Sequence, residues 1–301
     1  MPAFTELYPF LVLGVAFGAL YAVAAVGLVV LYRTTGVLNF AFGAIGMFGL
    51  NVSWTLLNTT WMPHWLGYLA TVIVSILVCL AYGLWVAPLF AQREPLVKTI
   101  GTLGLLLLLL GITYIRWKTQ DARSFQLPLK DFHFSIGRAR LNGVHLLALG
   151  FGISVSIAVT VFLKATALGT AMRAVANDRD VAALVGVPVR NVEAVAWAAS
   201  GLICGVVALI AGSLLSFDVI GLTYIVISYL AAALIGRLSS LPLTFAAGMS
   251  IGILESGLTP FSGHLLFLSE NKSMAPFIVC IVAMLWVGRR RTIVLSGREM
   301  Q

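Results

Sequence analysis

The sequence predicts an all-α polytopic transmembrane helical bundle of about nine spans. Sixty per cent of the 301 residues are hydrophobic and only 10% are charged, a balance that a soluble chain of this length could not bury in one core. The second observation is the length of the apolar runs, because a spanning helix needs roughly 20 apolar residues. The runs lie near 9–31, 36–57, 65–88, 96–115, 144–164, 191–214, 219–236, 240–259 and 274–288. No linker rich in Pro, Gly or Ser divides them, so residues 1–301 are expected to form one transmembrane domain.

Basic residues predict the orientation of these spans, since Lys and Arg accumulate in cytoplasmic loops near span ends. The carboxyl terminus carries Arg289, Arg290, Arg291 and Arg298 and is therefore expected in the cytoplasm. Counting spans backwards adds these basic residues to the same side: Arg33, Arg93, Lys98, Lys164, Arg173, Arg179, Arg190 and Arg237. An odd number of spans then places the amino terminus outside.

The first polar stretch long enough to have its own structure is the loop 116–143. Alternating residues from Phe132 to Ile136, followed by Asn142 and Gly143, predict short strands with turns. The orientation puts this loop outside the membrane, where it is the one strongly basic exception to the charge rule. The pattern therefore predicts an extracytoplasmic flap.

The second polar stretch, residues 165–190, falls on the cytoplasmic side. Apolar and polar positions alternate there at helical spacing, and Gly186 with Pro188 supplies a stop. The apolar positions are Ala171, Ala174, Val175, Ala182 and Val185, and the polar ones are Arg173, Asn177, Asp178, Arg179 and Asp180. The pattern predicts a short helix outside the membrane.

An amphipathic helix that is tied to spans at both ends can lay its apolar face in a groove of a partner and transmit rigid-body motion. The face expected to dock consists of Ala171, Ala174, Ala182 and Val185, with Arg173, Asp178 and Arg179 as its polar rim. The alternative is a helix that rests on the lipid surface. Such helices use aromatic or leucine anchors, which this face lacks, so docking on a protein is favoured.

The second apolar run contains a helix-weakening segment from Gly36 to Gly49. Glycines at 36, 43, 46 and 49 lower helix stability, and the amide of Asn39 competes for backbone partners. A broken second span is expected, and transporters use such breaks near the bilayer middle to meet a solute. The residues predicted to line a translocation pathway are Asn39, Phe40, Phe42, Gly43, Gly46 and Met47. The alternative is that Asn39 only hydrogen-bonds to a neighbouring helix.

Charged, cysteine and glycine residues in the spans indicate packing more than chemistry. Glu255 and Asp218 lie near outer span ends, where water can solvate them. Three pairs of glycines at helical spacing predict close helix packing, namely Gly14 with Gly18, Gly201 with Gly205, and Gly248 with Gly252.

The three cysteines, Cys79, Cys204 and Cys280, show no metal-ligand spacing and are expected to be packing residues. No Gly-rich phosphate loop ends in Lys-Ser or Lys-Thr, so any ATP would be bound by another chain.

Three segments carry a resemblance to a known family. Asn39-Phe40-Ala41-Phe42-Gly43, with Met47 and Gly49 downstream, resembles the segment after the first span in permeases of bacterial branched-chain amino-acid (Liv-type) ABC importers. The stretch from Gly169 to Asp178, followed by Ala182 to Val187, looks like the cytoplasmic coupling segment of that family. The third segment runs from Ala231 to Gly236. The coupling residues that the resemblance indicates are Gly169, Arg173, Asn177, Asp178, Ala182 and Gly186.

The resemblance implies a transport subunit without enzyme activity, located in the bacterial inner membrane. It would pair with a second permease subunit, as a homologous heterodimer, and with two ATPase subunits that bind ATP and Mg²⁺. A periplasmic solute-binding protein would deliver leucine-like amino acids, while some relatives take amides or urea. The loop 116–143 is then either a docking surface for that receptor or a solvated cap. No cofactor, metal or nucleic acid is expected for this chain.

Two positions depart from the family pattern. Many relatives have a histidine where Phe42 stands and a glycine where Arg237 stands. The first difference removes a polar group from the predicted pathway and leaves the solute open. Two other functions also remain as alternatives, a secondary transporter that works alone and a membrane scaffold without transport.

Overall fold

A computed structural model describes residues 4–60, 63–117, 125, 127–136, 139–215, 223, 225–261, 281–282 and 285. Its helices are α1 Phe4–Thr35, α2 Phe42–Thr59, α3 His64–Ala81, α4 Pro95–Trp117, α5 Gly143–Ala165, α6 Ala167–Asn177, α7 Arg179–Leu184, α8 Val189–Leu214, α9 Val226–Ile235 and α10 Leu241–Leu258. A π-helical turn Tyr82–Val86 and a 3-10 turn Ala87–Phe90 extend α3, and a 3-10 turn Thr259–Phe261 follows α10. The strands are β1 His133–Ile136 and β2 Ala139–Asn142.

Six helices in the described part of the chain are long and apolar enough to cross a membrane, and they support the predicted all-α membrane bundle. They are Leu7–Thr35, His64–Phe90, Pro95–Trp117, Gly143–Ala165, Val189–Leu214 and Leu241–Leu258. The predicted count of nine is not reproduced. Polar residues such as Asn51 and Asn58 lower the hydropathy of α2, and α9 has only 10 residues, a length of about 15 Å. The ninth run, 274–288, falls outside the described residues except for 281, 282 and 285.

Close helix packing at glycines builds the centre of the bundle. The α1 glycines face the α10 glycines: a Cβ on Gly14 would lie 2.8 Å from the Ile253 Cα, and one on Gly18 would lie 2.6 Å from the Met249 carbonyl oxygen. Gly201 approaches α3 in the same way, 2.7 Å from the Ile76 Cα. The predicted packing role of these glycines is thus confirmed, and their contacts lie within the chain. Lipid cannot drive helices together by hydrophobicity, so close backbone contact contributes much of the association.

Helix α3 shows how the bundle sorts its side chains. Small or polar residues recur every fourth position and are buried, namely Gly67, Thr71, Ser75 and Cys79. Large apolar residues on the opposite face are exposed, namely Trp65, Leu69, Ile73 and Leu77. The Thr71 hydroxyl donates to the Ser53 Oγ of α2 at 2.7 Å. The exposed apolar face is the one that suits contact with lipid, and the small face suits close approach to α2 and α8.

The predicted strands in the loop 116–143 are present. Strands β1 and β2 pair antiparallel, with His133 opposite Asn142. The Asn142 side chain then accepts a hydrogen bond from the His145 backbone N–H and caps α5. Because α5 runs from this hairpin to Thr166, the hairpin and the helices α6 and α7 lie at opposite ends of the bundle.

Candidate functional site

The chain is non-helical between α1 and α2, and Gly36 and Asn39 shape this connection. Gly36 has φ +70°, a left-handed conformation that ends α1. The Asn39 Oδ1 accepts a hydrogen bond from the Ala41 N–H at 3.0 Å. From α4, the Thr102 hydroxyl lies 2.9 Å from the Leu38 carbonyl oxygen and 3.1 Å from the Phe40 nitrogen. One buried side chain of a neighbouring helix therefore holds backbone groups on both sides of Asn39.

Two features of the predicted break need correction. Helix α2 begins at Phe42, so Gly43, Gly46 and Gly49 lie inside a regular helix rather than in a broken one. Their lack of a side chain serves packing: a Cβ on Gly46 would lie 2.6 Å from the Ala208 Cβ of α8. The non-helical stretch also lies toward one end of the bundle, since Gly36 lines a cleft there with Lys98 and Arg173. The 32 residues of α1 extend for about 48 Å before the chain turns.

Part of the predicted pathway lines one narrow cavity between α2 and α8. Its walls are Phe42, Gly43, Gly46, Cys204, Val207, Ala208, Ala211 and Tyr229. Asn39 is 1% exposed, and its Nδ2 has no hydrogen-bond partner within the described residues. Met47 is buried in the bundle core, and Phe40 is half-buried. The structure thus brings Phe42, Gly43 and Gly46 together, while Asn39, Phe40 and Met47 are not among the cavity walls.

Tyr229 is a cavity residue that the sequence did not single out. Its ring meets the Phe42 ring edge-on, with 6.0 Å between centroids. Helix α9, which carries it, is short and apolar, and nothing in its sequence pattern separates Tyr229 from an ordinary packing residue. Only the approach of α9 to α2 brings its ring to the cavity.

The coupling-type segment consists of α6 and α7, and its alanine-rich face packs against the chain itself. Met172 and Val175 are buried against the bundle, and Ala182 is 2% exposed. Gly169 is in contact with the backbone of Phe162 at the end of α5, where no side chain would fit. Of the predicted docking residues, Ala182 is buried and Ala171 and Ala174 are partly buried, because small side chains let α6 and α7 pack closely on the bundle. Docking of this segment on a protein stays a prediction.

A different set of apolar side chains is exposed on α7 and at the residue that follows it. Val181 is 54% exposed, Leu184 86% and Val185 74%. They follow the spacing i, i+3, i+4, which is the signal that could have identified them from the sequence. The exposed carboxylates of Asp178 and Asp180 stand beside them. Val185 is the only predicted docking residue that belongs to this surface.

Asp178 and Gly186 bound α7 and set its position. The Asp178 Oδ1 accepts hydrogen bonds from the Asp180 and Val181 N–H groups, both at 3.0 Å, so it is the N-cap of α7. Gly186 has φ +89° just past the helix end, and the Val187 N–H donates to the Ala182 carbonyl oxygen. Both predicted coupling residues thus have a clear local role in ending or starting a helix.

An ion pair joins α7 to α8. The Arg179 guanidinium contacts both carboxylate oxygens of Glu193, at 2.9 and 3.3 Å. The hydrogen bond to Glu193 is the main reason that the pKa of Arg179 is raised. The fork geometry fixes direction as well as distance. The ion pair therefore fixes α7 relative to the start of α8, whose later turns line the cavity at Ala208.

Residues predicted to share the cytoplasmic side do meet in one cleft of about 520 Å³. It is lined by Tyr32, Arg33, Thr34, Thr35, Gly36, Lys98, Arg173, Val175, Ala176, Asn177, Arg179 and Ser239. Arg33 donates to the Ser239 carbonyl oxygen at 3.2 Å. The end of α1, the turn before α10 and the start of α4 thus converge on the coupling-type segment.

Arg237 occupies a backbone conformation that suits glycine. Its φ is +55°, in the turn between α9 and α10. A residue with a Cβ costs about 1–2 kcal/mol more than glycine in this conformation. The glycine that the family resemblance implies here would therefore have a conformational reason, whereas nothing in the structure explains the arginine.

Comparison with known proteins extends over most of the chain. The family described as "Branched-chain amino acid transport system / permease component" matches residues 10–285. The high-affinity branched-chain amino acid transport system permease protein BraD of Pseudomonas aeruginosa is 26% identical over 319 residues, covering 100% of this chain and 99% of that protein. LivH of Escherichia coli K12, of the same description, is 26% identical over 90% of this chain and 91% of its own length. A probable branched-chain amino acid permease of Methanocaldococcus jannaschii is 29% identical over 81% and 79%.

Proposed function

Because this chain belongs to the family of branched-chain amino acid transport system permease components, we propose that it is the membrane-spanning subunit of an ATP-driven importer for branched-chain or related hydrophobic amino acids. The observation that carries the proposal is the family match over residues 10–285. Members of this family are transport subunits and not enzymes, and their ATPases are separate subunits. The proposal places ATP and Mg²⁺ on those ATPases, with no cofactor in this chain.

The proposed assembly contains a second, homologous permease subunit, two ATPases and a periplasmic solute-binding protein. The amino terminus lies outside and the carboxyl terminus in the cytoplasm, which agrees with the cleft that gathers Arg33, Lys98, Arg173 and Arg179 at one end. The hairpin of β1 and β2 then faces the receptor.

The proposed transmission starts at α7, where an ATPase would hold the exposed surface of Val181, Leu184 and Val185. Movement of α7 passes to α8 through the Arg179–Glu193 pair. Movement of α6 passes to α5 through the close backbone contact between Gly169 and Phe162. Since α8 contacts α2 at Gly46, a shift of α8 would open or close the cavity beside Phe42.

Affinity purification from native cells in mild detergent tests the assembly. The tagged chain should co-purify with a protein that hydrolyses ATP. Deletion of the gene for that ATPase should abolish ATP-dependent uptake of radiolabelled leucine. Uptake that persists without an ATPase and follows a proton gradient would contradict the proposal and favour a secondary transporter that works alone. Uptake of urea or amides instead of leucine would agree with the proposed ATP-driven mechanism and contradict the proposed solute.

Replacing Asp178 with alanine should uncouple ATP hydrolysis from uptake. Loss of the N-cap costs about 0.5–2 kcal/mol, so α7 frays where the ATPase would hold it. Leucine uptake per ATP hydrolysed is expected to fall about fivefold, measured in proteoliposomes of the purified complex. Asp178→Asn is the matched control because its amide oxygen can still cap the helix. An equal loss in both variants would remove capping as the cause.

Replacing Asn39 with leucine should lower leucine uptake about tenfold, because the variant loses a buried hydrogen-bonding group. The ATPase should stay bound to the variant. The variant loses both the acceptor for the Ala41 N–H and the buried Nδ2 donor. Asn39→Ser separates the two, because the shorter hydroxyl side chain can still accept from the residue 41 N–H but does not reach the position of the amide Nδ2. Normal uptake by Asn39→Ser would show that only the local turn matters.

A further inference from the structure

Glu255 is an acidic residue whose side chain turns into the bundle. It lies in α10, one turn before the helix ends at Leu258. The sequence placed it at an outer interface where water solvates it. In the structure its Oε2 is buried and has no hydrogen-bond partner among the described residues. An ionisable group with this placement in a membrane protein is expensive and usually functional.

The groups around Glu255 are aromatic and hydroxyl-bearing. The Tyr21 side chain of α1 is 4% exposed and interacts with the Glu255 carboxyl. The Tyr21 ring lies 5.6 Å from the Tyr229 ring, measured between centroids. Tyr229 in turn contacts Phe42 and lines the cavity between α2 and α8. A continuous row of side chains therefore connects Glu255 to the predicted pathway.

No basic side chain forms an ion pair with Glu255 within the residues that the structure describes. The ion pair found there joins Arg179 to Glu193 on α7 and α8. Arg33 and Lys98 line the cleft at the far end of the bundle. Burial without a cation favours the neutral carboxyl over the charged carboxylate. A solute that brings an ammonium group would stabilise the charged carboxylate, and the tyrosine rings would attract the ammonium group further.

We propose that Glu255, with Tyr21 and Tyr229, binds the ammonium group of an α-amino acid solute during translocation. The cavity beside Phe42 has a volume of only about 10 Å³ in this conformation, so it would have to widen before the apolar side chain of the solute could lie against Phe42 and Val207. This inference rests on the proposed import function and narrows it: the cargo carries a cationic amino group, which excludes urea and simple amides. Glu255 is a specificity-determining residue in this scheme.

Replacing Glu255 with glutamine tests the proposal, because the amide keeps the shape and hydrogen bonding but loses the charge. Uptake of leucine at limiting concentration by the assembled importer should fall about ten- to a hundredfold, with unchanged recovery of the ATPase. Glu94→Gln is the matched control, since Glu94 is an exposed acid in the loop before α4. Wild-type uptake by Glu255→Gln would overturn the proposal and identify Glu255 as a neutral packing group.

Photolabelling gives a second readout that does not depend on turnover. A leucine analogue with a diazirine in its apolar side chain should label peptides of α2, α8 or α9 in the purified wild-type complex, and excess leucine should prevent it. The label should be lost in Glu255→Gln while the variant elutes as the same complex. Equal labelling of both proteins would overturn the inference. Failure of the import function itself is distinguishable, because then wild-type cells would show no ATP-dependent leucine uptake.

Discussion

Replacement of Gly252 by leucine is expected to abolish formation of the folded protein in the membrane. Gly252 packs directly on the backbone of Gly18, and a Cβ at this position would overlap it. The α1 backbone cannot move aside, because Gly14 and Gly248 hold the same two helices together on either side. The cost should exceed the ~1–3 kcal/mol of ordinary overpacking. The measurement is the yield of monodisperse protein after detergent extraction, which should fall to background.

The control for this substitution is Gly150→Leu. Gly150 lies on α5, where a Cβ added to it would meet nothing within 4 Å, and leucine raises helix propensity by about 1 kcal/mol. Its yield should match that of the wild type. If Gly252→Leu were recovered as well as Gly150→Leu, the α1–α10 contact would not be the centre of the bundle.

Replacement of Leu184 by aspartate is expected to abolish recovery of the ATPase with this chain. Leu184 is 86% exposed, so the substitution leaves the fold intact. It places a charge at the centre of the apolar surface of Val181, Leu184 and Val185. Central interface residues of this kind contribute about 2 kcal/mol or more, and a buried unpaired charge adds to the loss. We expect at least a hundredfold weaker association, measured by titrating the purified ATPase against the immobilised chain.

Leu184→Met is the matched control, because methionine keeps the apolar volume and should retain the ATPase. The rival occupant of this surface is the lipid headgroup region. The adjacent carboxylates of Asp178 and Asp180 oppose contact with an anionic leaflet. Wild-type recovery of the ATPase by Leu184→Asp would assign the surface to lipid and remove α7 from the docking site.

Hydropathy and local chemistry determined much of the architecture. Long apolar runs predict spanning helices because lipid leaves the backbone no other partners. Gly186 with Pro188 predicted the end of α7, and Asn142 with Gly143 predicted the end of the hairpin. The glycine pairs predicted close packing. Such features depend on a few neighbouring residues, so they can be recognised without knowing the fold.

Only the tertiary structure decided which way the side chains face. The alanines of α6 and α7 and the exposed Leu184 belong to one amphipathic pattern, and periodicity cannot tell a face packed on the chain from one left for a partner. The same limit applies to Glu255, which is near the end of its span by sequence but points toward Tyr21 inside the bundle. Burial depends on how distant segments pack, here α10 on α1 through facing glycines. That packing, rather than the spacing along the chain, places the residues proposed to bind solute and ATPase.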